Sequence, residues 1–154
     1  MKKIYFYFTL LILFSCDSKH KNICNDDSYC LEVVIRSSRS CAYIIEVSKN
    51  GHGLFTKGQV DDYKSNDFAF DKVDHEANFK IQPKEKLDSL FDIMETINNK
   101  EDIIGIDGLH AVHVEVYISG NKKIDVYRKK PDVFWELLNH IESSLPFPID
   151  KSCW

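Results

Sequence analysis

The chain of 154 residues has no long apolar run, no C-x-x-C pair, no glycine-rich phosphate loop and no basic cluster. Each absence removes a class of function. The one marked apolar stretch, Ile4 to Phe14, is eleven residues long. As a helix it reaches roughly 16 Å, against a hydrocarbon core of about 30 Å, so it is no ordinary membrane span. Without C-x-x-C spacing the cysteines match no familiar zinc module. Without G-x-S-x-G there is no hydrolase elbow. Without D-x-D-x-D-G the acidic residues do not form a calcium loop. The 20 basic residues are scattered among 24 acidic ones, for a net charge of −4. Nucleic acid needs clustered cations, and so does a polybasic membrane patch; neither is expected here. No internal repeat is visible.

What is present begins at the first residues. Lys2 and Lys3 precede the apolar stretch, and Ser15-Cys16-Asp17 follows it. A basic start, a short apolar core and a small residue describe an export signal. Leu13-Phe14-Ser15-Cys16 resembles the lipobox of type II signal peptides, with Phe14 where the commonest pattern has a small or β-branched residue. The resemblance implies cleavage before Cys16 and a diacylglyceryl group on its thiol. One acyl chain binds a bilayer only marginally, whereas two or three on one cysteine hold durably. Three parts are therefore expected: a signal peptide at 1–15, a polar tether at 16–28 and a single domain at 29–154. The tether, fully extended, reaches roughly 40 Å. Removing residues 1–15 takes away Lys2 and Lys3 and leaves a side-chain charge of −6. The expected location is the cell envelope, lipid-anchored, the outer membrane preferred over the inner.

Setting Cys16 aside leaves Cys24, Cys30, Cys41 and Cys153, an even number in an exported chain. Two disulfides are the expectation. Three pairings are open; the favoured one is Cys24–Cys30 with Cys41–Cys153. A bridge to Cys153 ties down a terminus that otherwise frays.

The periodicity reads as strands first. Leu31, Val33 and Ile35 share one face of a strand over Tyr29 to Arg36, with Glu32, Val34 and Arg36 on the other. Cys41, Tyr43, Ile45 and Val47 line a second strand. Lys49-Asn50-Gly51 is a hairpin signal, with a short strand near Gly53 to Lys57. A further strand is expected near Phe68 to Val73. Pro83 opens a helix with the stripe Leu87, Leu90, Phe91, Met94 and Ile97. Ile103 to Leu109 reads as a loop. Val112, Val114, Val116 and Ile118 then face inward, and His113, Glu115 and Tyr117 face out to solvent. Ser119 to Lys122 turns the chain into a strand ending at Arg128. Pro131-Asp132 opens a last helix with the stripe Phe134, Leu137, Leu138, Ile141 and Leu145. This order predicts an α+β fold: a two-layer sandwich with a mostly antiparallel sheet of five to six strands and two helices on one face.

The residue patterns hold no catalytic constellation, no metal set and no cofactor motif. His113 and Glu115 share a strand face, but two ligands are too few, and His110 points the other way if it lies in the same strand. The candidate contact residues for a protein partner are Asp61, Asp62, Tyr63, Asp67, Phe68 and Phe70 in an acidic, aromatic stretch, together with His113, Glu115 and Tyr117. Trp154, beside Cys153, is expected to cover the core, the alternative being an exposed contact residue.

The run from Leu31 to Leu145 resembles a group of small bacterial lipoprotein domains, with Arg36, Cys41, Tyr43 and Gly51 in comparable places. That group often carries C-x-x-x-C-P-x-Y, where this chain has Cys41-Ala42-Tyr43. The resemblance implies a fold and an anchor, and no activity. The expected function is a non-enzymatic envelope binding protein, in its sharper version an immunity or inhibitor lipoprotein meeting a basic partner. The alternative is a metal-dependent envelope hydrolase using His75, His110 and His113.

Overall fold

The computed structural model describes residues 24, 29–39, 41–60, 69–105, 112–127 and 130–151. Strands β1 (Cys30–Arg36), β2 (Cys41–Ser48), β3 (His52–Gln59) and β4 (Lys72–Lys80) come first. Helix α1 (Lys84–Asn98) follows, then β5 (Ile103–Ile104), β6 (His113–Ile118), β7 (Asn121–Val126) and α2 (Asp132–Glu142). The strands form one sheet in the order β4-β3-β2-β1-β6-β7-β5. Every pairing is antiparallel except β5 with β7.

The α+β class is as the sequence predicts, but the sheet has seven strands where five to six are expected. The extra strand is β5, at the start of the stretch read as a loop. Its two residues lie parallel to β7, and Gly105 extends the contact by donating to the Asp125 carbonyl at 2.7 Å. Two residues carry no readable alternation. The strand expected near Phe68–Val73 instead runs Lys72–Lys80. Most of its side chains are exposed, so the apolar pattern that marks a strand is missing there.

The register shows why one face becomes the core. Leu31 lies between Val47 and Ile118, Val33 between Ile45 and Val116, and Ile35 between Tyr43 and Val114. These residues pack with Leu90, Met94 and Ile97 of α1 and with Phe134, Leu137, Leu138 and Ile141 of α2. Both helices therefore cover the same face. Leu145, placed in the α2 stripe by its spacing, lies beyond the helix end and packs half-buried against the same cluster. His140 Nε2–H donates to the Lys86 carbonyl at 2.7 Å and joins the two helices.

Two glycines set the β2–β3 hairpin. Gly51 has φ +78° and donates to the Ser48 carbonyl at 2.9 Å, closing a three-residue loop. Gly53 faces Phe79 across the β3–β4 pair, and a Cβ there would lie 2.2 Å from the ring. Gly53→Ala is expected to cost about 1–3 kcal/mol by overpacking. Urea unfolding read by circular dichroism checks this; an unchanged midpoint shows that the Phe79 ring moves aside freely.

Candidate functional site

Turning the sheet over exposes its chemistry. Cross-strand partners share a face, so the register places Asp125, Glu115, Val34, Ile44, Thr56 and Glu76 in one row across the sheet. A parallel row carries Tyr117, Glu32, Glu46, Leu54 and Asn78. This is the face opposite the helices. In its central strands it is nevertheless buried: Val34, Ala42, Ile44 and Leu54 are covered, and so are Arg36, Glu46 and Thr56.

His113 and Glu115 lie on the predicted face but not in solvent. Each is only 4% exposed, which corrects their reading as solvent-side residues. Tyr117 is half-buried. The three do belong to one cluster. Arg36, itself 2% exposed, donates from Nη2 to Glu115 Oε2. Lys122 Nζ lies 2.5 Å from Glu115 Oε1 and 3.0 Å from Asp125 Oδ2. Tyr117 donates its hydroxyl to Glu115 Oε1 at 3.0 Å. His113 Nε2 meets Asp125 Oδ1 at 2.6 Å, and its ring stacks on Tyr127 with centroids 4.0 Å apart.

The protonation states follow from burial and neighbours. Burial pushes the His113 imidazole below its usual range, and Arg36 adds to this; Asp125 and Glu115 pull the other way without prevailing. The ring is neutral near pH 7, so Nε2–H donates to Asp125. Nδ1 is buried with no hydrogen-bond partner among the described residues. Burial alone would raise Glu115, but Lys122, Arg36 and His113 outweigh it and hold the carboxyl below the usual range. Asp125 behaves likewise through His113 and Lys122. Burial lowers Lys122, yet its bonds to Glu115, Asp125 and Tyr117 raise it well above an ordinary lysine.

Those states decide what the cluster can do. Two carboxylates face two permanent cations, with a neutral imidazole between. Ligand atoms of His113, Glu115 and Asp125 do lie within 4.8 Å of one another. A metal ion there would have to displace the Lys122 ammonium, which already bridges both acids. Among the described residues, no hydroxyl or thiol is hydrogen-bonded to His113. The arrangement is a balanced ion-pair network joining β1, β6 and β7.

His75 and His113 are not brought together. His75 pairs with Lys57, which pairs with Tyr43 on the helix-covered face, whereas His113 is on the opposite face. Four inter-strand steps of about 4.8 Å separate β4 from β6. One metal ion cannot bind both histidines.

Cys24 and Cys30 form a disulfide, with Cα atoms 5.4 Å apart. Cys41 sits half-buried against the core and is also disulfide-bonded, to a partner beyond the described residues. Cys16, Cys153, Asp61, Asp62, Tyr63, Asp67, Phe68, His110 and Trp154 lie outside the described residues. Phe70 is half-buried just before β4.

Sequence reasoning missed Arg36, Lys122, Asp125 and Tyr127. Arg36 was on the correct face of its strand, and Asp125 alternates with the inward Ile124 and Val126. No local signal shows that β1 lies beside β6. None of the described helices is long and apolar enough to cross a membrane. No protein-family model matches the chain, and no curated protein matches it.

Proposed function

We propose that this chain is a lipid-anchored envelope protein whose domain binds another protein without catalysing a reaction. The observation that carries this reading is β4. It closes one edge of the sheet, is exposed along most of its nine residues and presents Val73 at 47% exposure. An edge strand offers backbone donors and acceptors to an incoming segment. The acidic stretch that holds Asp61, Asp62 and Asp67 leads into it, which suits a basic partner and the immunity or inhibitor version of the role. The bonded cysteines support an oxidising compartment, as the envelope is. The self-neutralised cluster around Glu115 supports a structural network over a catalytic centre.

A photo-crosslinking amino acid at Val73 or Asn78 tests the reading in intact envelopes. Both positions are expected to give the same discrete adduct, weakening as salt is raised. A control at Thr96, exposed on α1, is expected to give none. Equal adducts at all three positions, or none at β4, would count decisively against a β4 interface.

A further inference from the structure

A separate feature lies on the helix-covered side of the sheet, where the helices stop. The cross-strand row through Val114, Ile35 and Tyr43 is apolar and buried, then changes character at Lys57 and His75. Lys57 and His75 are direct cross-strand partners, with Cβ atoms about 5 Å apart. The segment after α2 folds back beside them. Buried Ile149 anchors it, and the Asp150 backbone N–H donates to the Tyr43 hydroxyl at 3.2 Å. Phe147, held between Pro146 and Pro148, stays 43% exposed, its ring centroid 5.4 Å from that of His75. Between these pieces lies a shallow cavity of about 610 Å³ that is open to solvent, its volume in the range of small-molecule sites.

Its charges are unevenly satisfied. Glu142 on the rim is taken by Lys151 at 3.4 Å. Lys57 extends over the Tyr43 ring, its Nζ 5.9 Å from the centroid. Among the described residues, Lys57 makes no hydrogen bond or ion pair, and neither do the ring nitrogens of His75. One side of the cavity thus offers the Lys57 ammonium and the His75 imidazole, and the other an exposed aromatic face.

We propose that this cavity is a binding site for a small aromatic carboxylate, held by Lys57 and His75 through the carboxylate and by Phe147 through the ring. The two halves suit such a ligand jointly. A carboxylate alone would leave Phe147 unused, and a neutral ring would leave the Lys57 ammonium with no ion pair among the described residues. Lining acids Glu142 and Asp150 disfavour multiply charged anions, so a single carboxylate is the better match.

The test is a titration of the isotope-labelled full-length protein in detergent micelles with benzoate, following the Lys57 and His75 side-chain resonances. Acetate supplies the carboxylate without the ring, and benzamide the ring without the charge. Benzoate is expected to shift both residues saturably, with acetate and benzamide each at least about tenfold weaker. Lys57→Gln removes a charge-assisted hydrogen bond and is expected to weaken benzoate about tenfold. Phe147→Ala, on an exposed ring outside the core, is expected to weaken benzoate severalfold and serves if K57Q does not fold. No saturable shift, or benzoate binding that either substitution leaves unchanged, overturns the proposal.

Discussion

Glu115→Ala is expected to destabilise the domain by about 3–5 kcal/mol, the cost of removing one partner from a buried ion pair. A typical domain is stable by only about 5–15 kcal/mol, so this is a large share. The physical reason is asymmetric. Lys122 is at the rim, with its side chain 39% exposed, and can turn to water when Glu115 is gone. Arg36 is 2% exposed on the central strand and loses the carboxylate it faces. Replacing both partners removes that asymmetry. Arg36→Met with Glu115→Leu is therefore expected to recover most of the loss, because apolar replacements of a buried pair are often neutral or better. Urea denaturation of the two variants decides it. A loss below about 1 kcal/mol in the single variant would mean that water reaches Arg36 once the carboxylate is gone.

The same cluster sets the response to acid. His113 titrates lower in the folded protein than in the unfolded chain, so the unfolded state takes up the proton first. Its contribution is complete above the ordinary histidine value of about 6.5 and falls as pH drops below it. Glu115 and Asp125 are also held low, so their contributions are lost at still lower pH, below about 4. All three act in one direction. Stability is expected to decline from pH 7 to pH 5, and His113→Gln should flatten that decline while leaving the acid limb. A decline that persists unchanged in His113→Gln assigns it to another group.

Much of this fold was legible, and the boundary of legibility is physical. Alternation placed Val112, Val114, Val116 and Ile118 on one face, and spacing placed Leu90, Met94 and Ile97 on one helix stripe. These are local periodicities of two and 3.6 residues. The same alternation put His113 and Glu115 on the other face and took that face for solvent. Periodicity reports which way a side chain points; it does not report which strands become central. Strand β1 is the fourth of seven, and its pairing with β6 joins Arg36 to Glu115 across 79 positions. Nothing within a dozen residues of either encodes that contact. Strand β4 was misplaced for the opposite reason. It is exposed on both faces over much of its length, so burial imposes no pattern on it. The most readable strands are those that build the core, and the candidate contact strand is among the least readable.

Cys16→Ala is expected to have an all-or-none effect: incorporation of labelled palmitate falls to background. Bonding state sets Cys24, Cys30 and Cys41 apart, and sequence context sets Cys16 apart. Cys24 and Cys30 are bonded to each other, and Cys41 is disulfide-bonded. Cys16 alone follows a short apolar run and a small residue. Only a free thiol at a cleavage boundary accepts a diacylglyceryl group, so Cys41→Ala should leave palmitate incorporation intact. For the proposed anchor the energy would scale at about 0.8 kcal/mol per buried methylene, so losing two or three chains would remove far more than a surface contact supplies. The net charge of −4 for the full chain, more negative once Lys2 and Lys3 are gone, offers no electrostatic substitute on an anionic leaflet. Variant protein that has lost residues 1–15 by another route should therefore wash off membranes. Palmitate that persists in Cys16→Ala would place the lipid on another residue and remove the basis for both the anchor and the tether.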